Sequence, residues 1–258
     1  MAAQALTAGR RVVGTYRTEP GAPGVEWRWL DITDRAAVRE LARAVRPEVV
    51  VNAAYTVSDW RATADGAASV ALAATDVGAR LVHVSSDAVH AGRSEPYADG
   101  EPPTPIFAYG AAKAAAETAV AAVDPGAAIV RTSLIIGDER SVHVRLCLDL
   151  VTGRRAGTLF ADQVRCPVAV DDLASAVLEL AGTDARGTIN VAGPDAVTRA
   201  QLGQLVARRY GLDPGRVPVG RTPSDVPPRP AVVRLDSSYA TGLLTTRLRG
   251  APEVLAAG

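Results

Sequence analysis

The chain has 258 residues, and its 28 Lys plus Arg are balanced by 28 Asp plus Glu, so its formal net charge is zero. That balance argues against a nucleic-acid-binding surface and against a polybasic membrane-binding surface. No apolar run approaches the roughly 18 residues that a membrane span requires, and the first ten residues lack the pattern of a signal peptide. We therefore expect a cytoplasmic protein that binds neither nucleic acid nor membrane.

The first half of the chain alternates short β-branched runs with helical segments, which is typical of parallel strands joined by crossover helices. The patterns predict strands over 11–16, 48–52, 80–85 and 127–132, and helices up to residue 9 and over 36–45, 62–77 and 108–123. The run 48–52 is apolar enough for a strand buried on both faces, and 87–107 is a long loop rich in Gly and Pro. This half predicts an α/β fold.

The second half is less regular. It predicts helices over 141–152, 171–181, 199–210 and 237–244, strands over 158–160, 165–168 and 187–191, and an irregular stretch over 213–233. Asp171 and Asp172 open a helix, where carboxylates suit the positive end of the helix dipole, so we assign them a capping role.

Cysteines and histidines give no metal-ligand pattern. Cys147 and Cys166 are too few for a disulfide framework and are expected to be buried, reduced thiols. His83 alternates with apolar neighbours and is expected to be structural, whereas His90 is either a polar contact or a surface residue. His143 has no acidic or metal-ligand partner near it in the sequence, and we assign it no role.

Lys113 is the only lysine in a chain rich in Ala and Arg. Such a composition is expected where a GC-rich genome favours arginine at every position that needs only a positive charge. A lysine pKa can be tuned, whereas a guanidinium stays charged, so the one remaining lysine is a candidate for chemistry. A chance surface position is the alternative.

Tyr109 precedes Lys113 by four residues on the predicted helix 108–123. This spacing puts the phenol and the ammonium on one helical face, one turn apart. A neighbouring cation favours the phenolate and so lowers the pKa of the tyrosine toward the working range of an acid catalyst. The spacing therefore predicts a catalytic pair.

Ser86 follows the predicted strand 80–85, at the end of a parallel strand where open α/β sheets bind ligands. Its hydroxyl is a candidate donor to a substrate oxygen that Tyr109 also contacts. Ser85 is expected to point toward the neighbouring helix layer. The alternative for Ser86 is that it caps the following loop, as serines at strand ends often do.

The order of these motifs resembles the extended short-chain dehydrogenase/reductase family, and within it the branch of dTDP-4-dehydrorhamnose reductases, whose C-terminal part binds a sugar nucleotide. The resemblance covers nearly the whole chain. The matching segments are Gly14–Arg17, Leu30–Ile32, Val50–Ala54, Ser85–Asp87, Pro102–Pro105, Tyr109–Lys113, Val130–Ser133, Asp162–Pro167, Val170–Leu173 and Arg234–Ser238. The resemblance implies a Rossmann-like, doubly wound parallel sheet over 1–135 and a smaller, interwoven substrate-binding region over 136–258.

The resemblance also implies a reaction, the reduction of a 4-keto group on a nucleotide-activated deoxysugar. Tyr109 would protonate the keto oxygen while a nicotinamide delivers hydride, Lys113 would bind the nicotinamide ribose and lower the Tyr109 pKa, and Ser86 would polarise the same oxygen. No metal is implied. A homodimer is one assembly that the family allows.

The resemblance implies a set of cofactor-binding residues in the first half of the chain. They are Arg17, Asp31, Ile32, Asn52, Ala53 and Ala54, together with Tyr109 and Lys113. Asp31 and Ile32 would flank the adenine. Arg17 stands where NAD-specific folds place an acidic residue, and a cation there favours the 2′-phosphate of NADPH over NADH. A solvated loop arginine is the alternative for Arg17.

The chain departs from the family pattern at two places. No strand with a Gly-rich, pyrophosphate-binding turn precedes Gly9, so we expect either that the true start lies upstream or that the chain is a true truncation. Under both explanations the chain as given is expected to bind dinucleotide poorly. The family tends to have Thr-Asp-Tyr-Val-Phe where Ser86–His90 stands here, and Trp in place of Leu134. The usual aromatic contacts to the substrate are therefore weakened.

Two other functions stay open. An epimerase or dehydratase of the same family would use the same Tyr109 and Lys113 but regenerate its cofactor. A non-catalytic protein resembling the regulatory β subunit of methionine adenosyltransferase would keep the fold and act by binding a partner.

Overall fold

The computed structural model describes residues 1–224 and 228–256. In this part of the chain the α-helices are α1 (Ala2–Thr7), α2 (Arg35–Val45), α3 (Gly66–Asp76), α4 (Ala108–Val123), α5 (Val142–Val151), α6 (Val170–Leu180), α7 (Arg199–Arg209), α8 (Ser238–Leu243) and α9 (Ala251–Val254). The strands are β1 (Val13–Tyr16), β2 (Glu26–Trp29), β3 (Val49–Asn52), β4 (Arg80–Val84), β5 (Ala128–Arg131), β6 (Ile135–Ile136), β7 (Leu159–Phe160), β8 (Val164–Arg165), β9 (Val168–Ala169), β10 (Gly187–Asn190), β11 (Val197–Thr198) and β12 (Val219–Gly220). None of the helices described is long and apolar enough to cross a membrane.

The chain divides into two compact units and passes between them several times. Unit 1 comprises Met1–Ser85, Ala108–Val130 and Ala174–Ile189. Unit 2 comprises Ser86–Phe107, Arg131–Leu173 and the chain from Asn190 onward. The domain division that we predict at residue 135 stays a prediction.

Unit 1 is built on parallel strands, as the alternating pattern predicts. The four-stranded sheet has the order β10-β5-β4-β3, in which β4 is parallel to both β3 and β5. Strands β1 and β2 form a separate parallel pair. The expectation that β3 is buried on both faces is wrong, because Val49, Val50 and Val51 are only half-buried. The physical reason is its position at the sheet edge, where β4 is its partner among the described strands.

The core of unit 1 is made largely of alanine. Ala71 and Ala74 of α3 and Ala116 of α4 are all completely buried, and they pack with Leu81 and Ile129 of the sheet. Side chains of this size let helices approach each other and the sheet closely. Helix α4, which begins and ends where the sequence predicts, is held by this packing.

Local interactions fix the ends of the helices in unit 1. The Asp34 carboxylate caps α2 by accepting hydrogen bonds from the Ala36 and Ala37 amides. Gly9 follows α1 with a φ of +74°, a left-handed conformation that glycine adopts without steric cost. The predicted helix over 62–77 differs in its first turn, because Arg61–Asp65 is π-helical and α3 begins only at Gly66.

Unit 2 contains short strands around a second apolar core. The pairs are β6 with β9, β8 with β11 and β7 with β12. Helices α5, α7 and α9 contribute to this core, together with Leu159 and Val217. Cys147 and Cys166 are buried, and burial raises the pKa of both thiols, that of Cys147 to about 11. They are unpaired thiols, as predicted.

The sequence patterns of unit 2 were less reliable. The predicted strand 165–168 is two separate strands, β8 and β9. The stretch 213–233 is not wholly irregular, because it contains a 3₁₀ turn at Pro214–Arg216 and β12, while 225–227 lie outside the described residues. Strands β6 and β11 and helix α9 were not predicted, because elements this short depend on tertiary packing rather than on local propensity.

Candidate active site

Lys113 and Tyr109 lie one turn apart on α4 in unit 1. Lys113 is only 2% exposed, and its ammonium donates a hydrogen bond of 2.9 Å to the Val84 carbonyl at the end of β4. Lysine side chains are almost never fully buried unless they have a partner. The partner of Lys113 is a carbonyl at the carboxyl end of a central strand. The chance-surface alternative for Lys113 is therefore wrong.

The environment of Lys113 adjusts its proton affinity. Burial lowers the pKa of its ammonium from 10.5 to about 8, while the charge of Glu117 opposes the shift. At neutral pH the side chain is thus still a cation, but one that gives up its proton far more readily than an exposed lysine.

Tyr55, which the sequence reading did not single out, adjoins both members of the pair. Its ring centre lies 5.8 Å from that of Tyr109 and 4.9 Å from the Lys113 ammonium nitrogen, within cation–π range. Half of Tyr55 is exposed. The one feature of the sequence that could have pointed to Tyr55 is its position directly after Asn52–Ala54.

Asn52 and His83 pair across β3 and β4. The Asn52 amide donates to His83 Nδ1 at 3.2 Å, and its oxygen accepts a hydrogen bond from the Ala54 backbone at 3.1 Å. His83 is fully buried, and burial followed by the charge of Lys113 lowers its pKa to about 3. His83 is therefore a neutral structural residue, as predicted. Asn52 shapes the turn that leaves Ala53 and Ala54 exposed.

Arg17, Asp31 and Ile32 follow strands β1 and β2. The Asp31 carboxylate accepts hydrogen bonds from the Thr33 amide and hydroxyl at 2.9 and 2.8 Å and lies 3.5 Å from the Arg17 guanidinium. The hydrogen bonds from Thr33 and, to a smaller extent, the charge of Arg17 lower the pKa of the Asp31 carboxyl. Ile32 packs against Gly66, where an added Cβ would come within 3.0 Å of it. The Arg17 side chain is still 57% exposed.

The two neighbouring serines belong to different units. In unit 1, the Ser85 hydroxyl donates to the Glu117 carboxylate of α4 at 2.6 Å, so it points toward the helix layer as predicted. In unit 2, the Ser86 hydroxyl accepts from the Ala88 amide at 3.2 Å and lies 3.4 Å from the Asp87 carboxylate. Ser86 thus caps the following turn, and its catalytic role stays a prediction.

Two stacked aromatic rings, those of His90 and Tyr97, are buried within the loop 87–107 of unit 2. The His90 ring is fully buried and stacks on Tyr97 with 3.8 Å between ring centres, so the surface alternative for His90 is wrong. Burial lowers the pKa of His90 to about 4. Tyr97 also forms an isolated β-bridge with Leu235, which connects the loop to that part of the chain.

Three arginines of unit 2 form a basic cluster that the sequence reading also missed. Burial and the charges of Arg165 and Arg229 lower the pKa of Arg199. The Arg229 guanidinium lies over the Phe107 ring at 4.7 Å, and Arg165 donates to the Val164 and Pro230 carbonyls at 2.7 Å. Arg165 also lies 3.7 Å from Asp87. Clustered guanidiniums beside an aromatic ring suit a ligand with both phosphate and base.

The other sequence candidates of unit 2 have structural partners. His143 lies 3.4 Å from Arg199, and burial lowers its pKa to about 4. Asp172 forms a bidentate pair with Arg249 at 2.7 and 2.9 Å, beyond the capping role that its position at the start of α6 predicts.

Comparison with protein families settles the relationship. The family model described as "RmlD substrate binding domain" matches residues 1–250. The chain belongs to this family. The resemblance to extended short-chain dehydrogenases/reductases is thereby confirmed.

Proteins similar to this chain include two reductases and a subunit of methionine adenosyltransferase. A dTDP-4-keto-6-deoxy-D-glucose reductase from Streptomyces niveus is 34% identical over 237 residues, which cover 84% of this chain and 81% of that protein. The crystal structure of a Bacillus anthracis dTDP-4-dehydrorhamnose reductase with NADP superposes with a TM-score of 0.80 at 25% identity, covering 95% of this chain and 96% of that one. The methionine adenosyltransferase 2 subunit beta of Xenopus tropicalis is 29% identical over 230 residues, 81% of this chain and 69% of that protein.

Proposed function

We propose that this protein uses NADPH to reduce the 4-keto group of a nucleotide-activated deoxysugar. The observation that carries the proposal is the buried Lys113, fixed to the Val84 carbonyl one helical turn from Tyr109. The Streptomyces niveus relative, named as a dTDP-4-keto-6-deoxy-D-glucose reductase, supports the substrate class. The Bacillus anthracis relative, solved with NADP, supports the cofactor, with NADH as the alternative.

The candidate cofactor-binding residues of unit 1 fit a dinucleotide with a 2′-phosphate. Arg17 offers an exposed cation beside Asp31, and Ala53 and Ala54 are uncovered at the carboxyl end of β3. We assign Asp31 and Ile32 to the adenine side, and Asn52, Ala53 and Ala54 to the wall of the cofactor site. Lys113 would hold the nicotinamide ribose by hydrogen bonds. When bound, the reduced nicotinamide supplies the hydride that the keto carbon accepts.

Tyr109 is the proposed proton donor. As the keto carbon is reduced, its oxygen takes up a proton, and the Tyr109 hydroxyl gives it. The Lys113 cation stabilises the phenolate that remains. We propose that Ser86 donates a second hydrogen bond to the same oxygen, for which its hydroxyl proton must turn away from Asp87.

The arginine cluster of unit 2 supports the nucleotide part of the proposal. A nucleoside diphosphate carries two adjacent phosphates, which guanidiniums bind with bidentate geometry. We propose that Arg165 and Arg229 contact the diphosphate. Phe107, under the Arg229 guanidinium, is an apolar surface for the base or the sugar.

The test mixes the protein with dTDP-4-keto-6-deoxy-D-glucose and NADPH. Stoichiometric NADPH oxidation, abolished in Tyr109→Phe, would support the reductase. Conversion of the sugar without net NADPH oxidation would instead identify the epimerase or dehydratase alternative. No conversion by a folded protein would contradict both.

The second candidate function is a non-catalytic regulatory subunit. The observation that favours it is the similarity to the Xenopus tropicalis methionine adenosyltransferase 2 subunit beta. Co-purification of a methionine adenosyltransferase, with no keto-sugar turnover, would support it. A cytoplasmic location, a homodimer and the lack of nucleic-acid binding are further proposals, and the zero net charge supports the last of these.

A further inference from the structure

Glu117 is a buried carboxylate for which the proposed chemistry has no use. It lies on α4, one turn after Lys113, and is only 4% exposed. Residues four apart on a helix are neighbours on its surface, so the carboxylate and the ammonium share one face. A carboxylate this deeply buried requires partners to offset its desolvation.

Ser85 fixes the Glu117 carboxylate from the sheet side. Its hydroxyl donates a 2.6 Å hydrogen bond to Glu117 Oε1, immediately after the strand whose Val84 carbonyl accepts from Lys113. Val84, the last residue of β4, therefore binds the Lys113 ammonium, and Ser85, which follows it, binds the Glu117 carboxylate. The geometry thus orients Glu117 and Lys113 together.

We propose that Glu117 is a positioning residue that keeps Lys113 protonated in its buried site. The proposal rests on the proposed function only for its consequence in catalysis. Burial disfavours the ammonium, and a fixed negative charge one turn away offsets part of that cost. Glu117 acts through Lys113 and needs no contact with substrate or cofactor.

Other groups around Lys113 do not supply this charge. His83 of β4 is neutral, because its pKa is about 3. Tyr55 presents its ring to the Lys113 ammonium, and Tyr109 in turn presents its ring to Tyr55. The segment Arg61–Asp65, which also packs on α4, carries one charge of each sign, and neither acts on the Lys113 pKa. Glu117 is the charged group that raises it.

The absence of a second lysine makes the test direct. In protein labelled with ¹³C,¹⁵N-lysine, the side-chain signal reports Lys113 alone, so its pKa can be measured without any turnover. Glu117→Gln keeps the size of the side chain and an oxygen that accepts from Ser85 but removes the charge. We expect the Lys113 pKa to fall by about one unit or more. Glu40→Gln, which removes an exposed carboxylate on α2, is the matched control and should leave the Lys113 pKa unchanged.

A Lys113 pKa in Glu117→Gln equal to that of the wild-type protein would overturn the proposal. If the Gln variant does not fold, Glu117→Met decides, because it fills the buried position with a side chain of similar length that carries no charge. A Lys113 pKa below the wild-type value supports the proposal, and an equal or higher value overturns it. In the active enzyme, the basic limb of the rate profile should move to lower pH in Glu117→Gln. Lack of turnover in every variant would count against the reductase function, whereas the lysine titration would still decide the role of Glu117.

Discussion

The ammonium nitrogen of Lys113 lies 4.9 Å from the centre of the Tyr55 ring. Tyr55 is therefore the aromatic neighbour of the proposed catalytic cation, and its ring contacts Tyr109 as well. A ring in this position stabilises the ammonium through its electron-rich face.

Replacing Tyr55 by Ala should lower kcat/KM for ketone reduction about two- to fivefold, which corresponds to about 0.5–1 kcal/mol for a cation–π contact whose ring is partly exposed. Tyr55→Phe is the matched control, since it keeps the ring. We expect it to retain the wild-type rate in steady-state assays, and an equal loss in both variants would show that the hydroxyl matters instead.

Tyr109→Phe should lower kcat by about 10²–10⁴-fold, because the proton donor is lost. NADPH binding, measured by fluorescence titration, should change little, since the ring and the Lys113 contact with Val84 stay in place. Turnover that survives in Tyr109→Phe would transfer the acid role to another group.

The rate of the wild-type enzyme should fall as pH rises through the Lys113 pKa of about 8, because the reaction needs the ammonium and deprotonation removes it. Lys113→Arg tests whether a positive charge alone is enough or whether the compact ammonium of lysine is required. A guanidinium stays charged in this range but does not match the compact ammonium site, so we expect an inactive variant rather than one with a flat profile. A folded, active Arg variant would contradict this assignment.

Acid should unfold the protein through its buried histidines. His83 and His90 have folded-state pKa values of about 3 and about 4, below the 6.5 of an exposed histidine. The unfolded state therefore binds more protons, and stability is lost as pH falls from 6.5 toward these values. For His90 the full effect is about 3 kcal/mol. His90→Phe, which keeps a ring on Tyr97, should reduce this loss in denaturant titrations, and an unchanged pH dependence would exclude His90 as a cause.

Arg229→Ala should weaken sugar-nucleotide binding by about ten- to a hundredfold, the range for a charged hydrogen bond of about 1.5–3 kcal/mol, and leave NADPH binding intact. Calorimetry with dTDP checks this directly. Arg140→Ala is the control, because Arg140 is exposed and paired with Asp138. Equal losses in the two variants would point to general electrostatics rather than to a diphosphate contact.

The sequence predicts most elements of unit 1 because their apolar residues are periodic, but it misses the four-residue strand β2. Helix α4 has its predicted bounds, and the pairing of Tyr109 with Lys113 follows from helical spacing alone. Tyr55 directly follows the segment Asn52–Ala54 and Glu117 follows Lys113 by one helical turn, but neither position in the sequence tells which groups the side chain packs against. Their importance arises only when β3, β4 and α4 pack together. The cluster of Arg165, Arg199 and Arg229 was missed for the same reason, since its members are spread over positions 165 to 229 of the sequence.

Ser86 shows the opposite limit. Its position at a strand end predicts both a cap and a catalytic donor, and the cap is what the structure describes. The Ser86 oxygen can accept from the Ala88 amide while its hydroxyl proton is donated elsewhere, so the cap is compatible with the proposed catalytic role.

The alanine core beneath α4 sets a narrow tolerance for change. Ala71, Ala74 and Ala116 are completely buried, so a larger residue at any of them would have to displace the helix. Such a displacement would carry Tyr109 and Lys113 with it as one rigid piece, leaving their mutual spacing intact while moving both relative to Val84 and Tyr55. Variants in this layer should therefore lose catalytic rate before they lose their cooperative melting transition, so that damage to the enzyme would precede damage to the fold.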